Sequence, residues 1–355
     1  MPFRLGMEFL RTTTIYRSLF GHRKSGFPWR TIIRLSGIVI GITIIIVLVR
    51  NVSWRSVEHT LGLLGWGYVF VLVYPLSWIL LNTMGWHYAL RAQYAAVPFG
   101  QLTQIRLVGE TFNTLLPFGF VGGEPIKAKL MSRWVPMAEA AASVLIAKAA
   151  QTLALVLFVG LGLTLERPAG GLSVFRQPWQ LTAFLLLTAG VMLFMLLLTR
   201  RSFSRIGRWL HAQSRHPWLQ KQESQLVALD DSLGVFYRDG KRRFLASVLW
   251  HGSGLLANAM EVAVIFFLIG HPVTLGEAWL IGAMAQVTVL VGFTPASIGL
   301  YEGGHFWAAQ ALGISPALGL SVALIRRIRE VFWNGVGLWL FWKISAIKPD
   351  PTRIA

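Results

Sequence analysis

The 355-residue sequence lacks cysteine, and only 14% of its residues are charged. Without cysteine, the chain can form neither a disulfide framework nor a thiolate metal site. Its histidines follow no metal-binding spacing, and it contains no Walker A loop, dinucleotide fingerprint or G-x-S-x-G elbow. We therefore expect no cofactor and no metal, and we expect that catalysis would need a partner chain.

Apolar residues make up 54% of the chain, which exceeds the roughly 45–50% found in soluble domains. The 33 Lys and Arg residues outnumber the 15 acidic residues and are unevenly placed, with seven before residue 35 and ten in 200–243. Such clusters flank membrane spans on the cytoplasmic side and attract anionic lipid headgroups. The pattern favours an integral membrane protein over a nucleic-acid-binding protein.

Six apolar blocks are long enough to cross a bilayer, whose core of about 30 Å needs roughly 20 helical residues. They are residues 32–50, 63–86, 138–165, 179–199, 245–270 and 316–343. Loop charge orients them with both termini in the cytoplasm, as in a multi-pass protein of the inner membrane. Arg50 follows the first block without a cleavage site, so we expect that block to remain as an anchor.

These blocks divide the chain into two membrane halves. We expect a basic cytoplasmic segment at 1–31, a first half at 32–199, a basic cytoplasmic linker at 200–244, a second half at 245–343 and a cytoplasmic tail at 344–355. Within the linker, "FSRIGRWLHAQ" separates apolar from basic residues at helical spacing, which suits a helix lying on lipid headgroups. An ordinary solvated helix is the alternative.

Two further stretches, 100–134 and 276–313, each contain an apolar run, a proline-centred break and a second run too short to span. Their breaks, "PFGFVGGE" and "PASIGLYE", place a glutamate at the same interval after the proline. Paired interrupted segments in corresponding halves point to a transporter-type site near the midplane. The predicted fold is an all-α polytopic membrane protein with about six full transmembrane helices plus two inverted re-entrant helical hairpins. Chance recurrence of Pro and Gly kinks is the alternative.

Charged residues inside the first hairpin are candidates for binding a polar ligand. Arg106, Glu110 and Asn113 share one helix face, and an Arg106–Glu110 pair would offset the roughly 2.5–3.5 kcal/mol cost of an isolated charge at the bilayer centre. We expect Glu124 to cap the helix that begins there and to pair with Lys127. A purely structural ion pair or cap is the alternative.

The last block contains "IRRIRE", in which Arg326 and Glu330 are spaced for an i, i+4 pair. Arg327 and Arg329 then need partners elsewhere, and a cluster of guanidinium groups inside the membrane would suit an anionic lipid headgroup. Alternatively, these arginines mark a cytoplasmic end, and the helix consists of two pieces.

The two break glutamates are available counter-charges for these arginines. We expect Glu124 and Glu302 to approach each other or the same arginine cluster. Lys148 and Glu261, each in the middle of a predicted span, are weaker members of the same set.

At the two hairpins the sequence resembles the lysylphosphatidylglycerol synthase-type, flippase-like integral membrane proteins. The residues that carry the resemblance are Arg106, Gly109, Asn113, Pro117, Gly122, Gly123 and Glu124 in the first hairpin, Pro295, Gly299, Glu302 and Gly303 in the second, and Arg326, Arg327 and Arg329 in the last block. The "EGG" and "RRIRE" stretches are most similar to the hopanoid-biosynthesis-associated branch, the HpnL type. Related synthases carry an additional cytosolic aminoacyl-transferase domain that this sequence does not include, so the resemblance implies lipid handling or translocation.

We therefore expect a non-enzymatic lipid flippase or transporter for a polar lipid, with a hopanoid as the cargo that the branch resemblance implies. Its expected partners are membrane lipid and lipid-biosynthesis proteins. The candidate lipid-binding residues are Arg106, Glu110, Asn113, Pro117, Gly122, Gly123, Glu124, Lys127, Pro295, Gly299, Glu302, Gly303, Arg326, Arg327, Arg329 and Glu330. A non-transporting membrane subunit of a lipid-biosynthesis or lipid-modification complex is the main alternative, and a structural scaffold is a third.

Overall fold

The fold is given by a computed structural model that describes residues 54–116, 122–165, 178–214, 217–291 and 297–346. In chain order its helices are α1 (Trp54–Leu64), α2 (Gly67–Val73), α3 (Pro75–Ala89), α4 (Phe99–Leu115), α5 (Glu124–Met131), α6 (Met137–Leu165), α7 (Pro178–Thr199), α8 (Ser202–Ser214), α9 (Pro217–Asp239), α10 (Lys241–Leu268), α11 (Leu275–Val291), α12 (Leu300–Ala311) and α13 (Pro316–Ala346). The predicted all-α class is confirmed for these ranges. The predicted span 32–50 and both break prolines, Pro117 and Pro295, lie outside them.

Three helical stretches in the described ranges are long and apolar enough to cross a membrane. They are Gly67–Ala89, Met137–Gly162 and Lys241–Leu268, and they match the predicted blocks 63–86, 138–165 and 245–270. The first begins later than predicted because Gly65, with a φ of +46°, separates α1 from α2. The helix α7 coincides with the predicted block 179–199 and belongs to a fourth candidate.

The predicted block 316–343 forms one uninterrupted helix of 31 residues, α13. The alternative of two helical pieces is therefore wrong. This helix does not count among the apolar spans of the described ranges because its middle carries Arg326, Arg327, Arg329 and Glu330. Arg326 and Arg329 are buried against neighbouring helices rather than exposed.

Both interrupted stretches fold as antiparallel helix pairs. In the first pair Gly109 of α4 lies against Lys127 of α5, and in the second Gly304 of α12 lies against Thr288 of α11. The helices α4 and α11 are each 17 residues long, and a glycine immediately precedes the second helix of each pair. In their described residues the two stretches thus share one arrangement, a helix followed by a shorter helix that packs back against it.

The two hairpins begin at opposite ends of α10. Near the start of α10, Arg243 donates hydrogen bonds to the carbonyl groups of His87 and Leu90, at the end of α3 that leads to the first hairpin. At the other end, Leu268 packs against Gly67 and leads to the second hairpin. The 28 residues of α10 correspond to about 42 Å of helix between these two positions.

The linker 200–244 contains the helices α8 and α9, so the predicted helix in "FSRIGRWLHAQ" is present. α8 turns 85° away from the apolar helix α7. Asp230 of α9 accepts hydrogen bonds from the backbone N–H groups of Phe203 and Ser204, at 3.3 and 2.8 Å, and so satisfies donors in the first turn of α8. Ser232 donates to Glu139 at 3.0 Å, which fastens α9 to the start of α6.

Large apolar side chains face outward from several of the described helices. Leu186 of α7, Phe267 of α10 and Val331 of α13 are each at least two-thirds exposed. Soluble monomers rarely expose contiguous apolar surface of this kind, whereas helices that contact lipid tails do so by necessity. The exposed surface thus agrees with the apolar spans in indicating a membrane protein.

Candidate functional site

The polar residues of the first hairpin form a group that we call the lysine network. Its members are Arg106, Glu110, Asn113, Glu124, Lys127 and Lys148, of which all but Glu110 are buried. Lys127 Nζ lies 2.8 Å from Glu124 Oε2, confirming the predicted pair, and 3.4 Å from Glu110 Oε1. Lys148 Nζ of α6 lies 3.2 Å from Glu124 Oε1. Arg106 pairs with Glu110 at 3.2 Å, as predicted. Because Lys127 lies on α5 and Lys148 on α6, the contacts of the network join α4, α5 and α6.

The amide of Asn113 connects α4 to the start of α5. Its Nδ2 donates to Glu124 Oε1 at 3.2 Å, and its Oδ1 accepts the backbone N–H of Gly123 at 2.6 Å. The prediction that Glu124 caps this helix is wrong. The Glu124 carboxylate pairs with the ammonium groups of Lys127 and Lys148, and Asn113 accepts the backbone N–H of Gly123 instead.

Glycine is required where α4 and α5 touch. A Cβ atom on Gly123 would overlap the backbone carbonyl oxygen of Gly109, and a Cβ atom on Gly109 would overlap the aliphatic stem of Lys127. Gly122 lies against Leu116 at the same junction. Because these positions have no side chain, Lys127 can pass close to α4 and reach both carboxylates of the lysine network.

The lysine network contains three cationic side chains and two carboxylates, which leaves an excess of one positive charge among its members. A cavity of about 10 Å³ lies among Trp86, Arg106, Lys127 and Lys148, enough for roughly one water molecule. An excess charge in a poorly solvated interior attracts an opposite charge more strongly than the same charge does in water. The site is therefore suited to an anionic group.

A second buried group, the arginine network, consists of Asn258, Glu261, Glu302, His305, Arg326, Arg327, Arg329 and Glu330. Glu261 of α10 is fully buried and accepts hydrogen bonds from Arg326, at 3.1 Å, and from Arg329. Arg326 also donates to Asn258 Oδ1 at 2.8 Å and lies 3.2 Å from His305 Nε2. These contacts join α10, α12 and α13.

Arg327 binds the carboxylates of Glu302 and Glu330, each at 2.6 Å. The other oxygen of Glu302 accepts the backbone N–H of Gly299 at 2.8 Å, and Gly299 has a φ of +83°, which disfavours other residues. Glu302 therefore caps the start of α12. Gly303 is buried in the same first turn.

The predicted i, i+4 pair between Arg326 and Glu330 is wrong. Arg326 is held by Glu261 from the neighbouring helix α10, while Glu330 pairs with Arg327 one turn away on its own helix. The buried carboxylate competes better for Arg326 because an unpaired charge there would be more costly than one at the partly exposed Glu330.

The expectation of one cluster containing both break glutamates is also corrected. Glu124 pairs with two lysines, whereas Glu302 pairs with Arg327. The helix α13 passes both networks: its Gly337, which packs against Thr111 of α4, lies seven residues after Glu330, or about 10 Å further along the helix. The candidate residues thus belong to two networks, and the roles of Pro117 and Pro295 stay predictions.

Four residues have larger roles than their sequence positions indicated. Lys148 and Glu261, expected to be weaker members, each bind groups from other helices. Asn258 and His305 were not among the candidates, although each lies three residues from a network glutamate and therefore shares its helix face. That spacing is the signal in the sequence that could have identified them.

Comparison with known proteins assigns most of the chain to one profile. Residues 34–336 match the family described as the lysylphosphatidylglycerol synthase TM region, and both networks lie within the match. No curated protein and no solved structure matches the chain significantly.

Proposed function

The chain belongs to the lysylphosphatidylglycerol synthase transmembrane-region family, and from this premise we propose that it acts as a flippase-like transporter that binds the headgroup of a polar lipid in the lysine network. The excess positive charge of the lysine network is the observation that carries the proposal. The cavity beside it admits only about one water molecule, so the helices around it must separate further to admit a headgroup. A phosphate-bearing headgroup would complement that charge through hydrogen bonds from Arg106, Lys127 and Lys148. The lipid tails would stay in the bilayer.

The two hairpins are proposed to enter an inner membrane from opposite sides, with both chain termini in the cytoplasm. Their starts at opposite ends of α10 support this inverted arrangement. Broken helices at membrane depth must be buried in protein or line a wet cavity, and the burial of Gly123 and Glu124 agrees with that requirement. A hopanoid-linked polar lipid, from the branch resemblance, is the first cargo to compare with phosphatidylglycerol.

The arginine network is proposed to hold the second hairpin in place. Its three arginines face three carboxylates, so its charges balance without a ligand. This balance distinguishes it from the lysine network and makes it the weaker candidate for binding an anionic headgroup. Its contacts with α10, α12 and α13 instead suit a structural support.

Lipid exchange in proteoliposomes tests the proposed function. Fluorescent phosphatidylglycerol is reconstituted with the protein, and the fraction reduced by external dithionite reports transbilayer movement. We expect Lys127→Gln to slow this movement about tenfold or more, because a hydrogen bond to a charged group contributes about 1.5–3 kcal/mol. Lys129→Gln is the matched control, since Lys129 lies on the same helix but is exposed.

Two outcomes would overturn the assignment. Equal exchange with and without wild-type protein, for phosphatidylglycerol and for the hopanoid-linked lipid, would contradict the transport function and favour a non-transporting subunit. If the Lys127→Gln and Lys148→Gln variants remain monodisperse and exchange lipid at the wild-type rate, the lysine network is not the headgroup site.

A further inference from the structure

One carboxylate of the lysine network, Glu110, is partly exposed, whereas the other ionised members are buried. The Glu110 side chain is 30% exposed, compared with 5–9% for the side chains of Arg106, Lys127, Lys148 and Glu124. Glu110 Oε1 lies 3.2 Å from Arg106 and 3.4 Å from Lys127, while Lys127 lies closer to Glu124, at 2.8 Å. Glu110 therefore lies at the edge of the network, where it adds one negative charge to a buried group of cations.

The net charge of the lysine network depends on Glu110. Its three cationic side chains and Glu124 alone would carry two excess positive charges, and Glu110 lowers this excess to one. A buried charge is costly unless an opposite charge balances it, so one excess charge is best matched by one negative charge. We propose that the lysine network is selective for lipids whose headgroup carries a single negative charge, and that Glu110 sets this limit. The inference rests on the proposed headgroup site and names the class of lipid that the site takes.

The proposed limit separates lipids by the chemistry of their phosphate group. A phosphodiester headgroup with no other charge, as in phosphatidylglycerol, carries one negative charge and would balance the network. A phosphomonoester, as in phosphatidic acid, carries a charge of about −1.5 to −2 at about pH 7, and its second charge would be repelled by Glu110 and Glu124. Phosphatidylcholine has no net charge, so it would leave the excess positive charge unbalanced.

The position of Glu110 allows its charge to be changed without reshaping the site. Arg106 and Lys127 line the cavity and contact Glu110, whereas Glu110 itself does not line it. Among the described residues, Glu110 is also the ion-pair partner of Arg106. Glutamine has the shape of glutamate and keeps an oxygen acceptor for both cations, so Glu110→Gln chiefly removes one charge. The network of this variant has two excess positive charges.

Binding of short-chain lipids to the full chain in a neutral detergent tests the proposal. The dissociation constants of dioctanoyl phosphatidylglycerol, phosphatidic acid and phosphatidylcholine are measured by calorimetry at about pH 8, above the second pKa of a phosphomonoester at about 6. The wild-type protein is expected to bind phosphatidylglycerol most tightly. Glu110→Gln is expected to shift the affinity ratio towards phosphatidic acid by about tenfold, the effect of one hydrogen-bonded charge.

Further variants control for total charge and for folding. Glu223→Gln removes the same charge from an exposed pair with Arg208 and should leave the ratio of affinities unchanged. Lys148→Gln lowers the excess charge of the network to zero and should abolish the preference for phosphatidylglycerol over phosphatidylcholine. Combining Lys148→Gln with Glu110→Gln restores one excess charge, so the double variant should recover that preference, which damage to the fold could not do.

The outcomes separate this inference from the proposed function. If the wild-type protein binds phosphatidylglycerol no more tightly than phosphatidylcholine, the headgroup site itself is contradicted. If Lys127→Gln abolishes a wild-type preference for phosphatidylglycerol but Glu110→Gln leaves the ratio of affinities unchanged, the headgroup site stands and the role of Glu110 is wrong. Tighter binding of phosphatidic acid than of phosphatidylglycerol by the wild type, or a double variant without recovery, would also contradict the charge limit.

Discussion

At the scale of single residues, the junction of α4 and α5 depends on the missing side chain of Gly123. Its Cα faces the carbonyl oxygen of Gly109, so an added methyl group must push the two helices apart. We expect Gly123→Ala to lower the stability of the protein by about 1–3 kcal/mol, the usual cost of overpacking. The measurement is the thermal unfolding midpoint in detergent, followed by tryptophan fluorescence.

Gly252→Ala provides the comparison for this substitution. Gly252 lies inside α10, and a Cβ atom there would meet nothing within 4 Å. Alanine is better than glycine in a helix interior by about 0.5–1 kcal/mol, so this variant should unfold at the same or a higher temperature. Equal midpoints for the two variants would show that the α4–α5 contact is looser than described.

The Glu261 carboxylate is the partner of two arginines in the arginine network. It is fully buried and binds the guanidinium groups of both Arg326 and Arg329. Glu261→Gln would leave these two cations without their carboxylate, and breaking a buried pair costs about 3–5 kcal/mol. We expect a large loss of thermal stability, in contrast to Asp231→Asn, which removes the exposed pair with Arg201 and should cost less than about 1 kcal/mol.

The sequence correctly predicted two charge pairs whose members are close in the chain and on one helix. Arg106–Glu110 and Glu124–Lys127 followed from the spacing of helical neighbours. It could not predict the partner of Glu261, because Arg326 is 65 residues away and the contact depends on how α10 and α13 pack. Helical spacing even suggested a competing partner for Arg326.

At the scale of elements, hydropathy predicted the helices that are apolar throughout, and it was least informative where charges interrupt a helix. The span 245–270 was recognised within a few residues of its observed start and end. For α13, the arginines left one helix or two pieces as alternatives, because whether a charged turn is buried or exposed depends on neighbouring helices. The 85° bend before α8 likewise has no signature in hydropathy alone.

The contact of α13 with α4 can be tested by a disulfide, because the chain has no cysteine of its own. Gly337 packs directly against Thr111. A Cβ atom at Gly337 would lie 2.9 Å from Thr111 Cβ, which is shorter than the roughly 3.5–4.5 Å that a disulfide spans, so the cross-link requires α13 to move outward by about 1 Å. We expect Thr111→Cys combined with Gly337→Cys to cross-link under mild oxidation, which a mobility shift after proteolysis between the helices would report.

The pair Thr111→Cys with Gly335→Cys is the control for this cross-link. Gly335 is exposed on another face of α13 and has no neighbouring atom within 4 Å of a Cβ position. It should therefore remain unlinked under the same conditions. If both pairs linked with equal yield, α13 would rotate freely against α4, and the separation of the two networks along α13 would not hold.

At the scale of the whole molecule, the distribution of charge predicts which end faces the cytoplasm. Ten Lys and Arg residues lie in 200–243, on the side where α10 begins, whereas "GHPVT" at the other end of α10 contains none. The positive-inside bias therefore predicts that α9 lies in the cytoplasm and that the loop after α10 lies outside. Arg133 donates to the carbonyl group of Ile344 near the end of α13, so the loop after α5 and the end of α13, both predicted to be cytoplasmic, lie at the same end of the protein.

Single cysteines in this cysteine-free chain test the orientation. His271 and Ser224 are both exposed, on opposite sides of the proposed membrane. We expect His271→Cys to react with a membrane-impermeant maleimide in intact spheroplasts, and Ser224→Cys to react only after permeabilisation. The unsubstituted protein should stay unlabelled throughout, and both variants should react fully in detergent. The reverse labelling pattern would mean that the protein has the opposite orientation in the membrane.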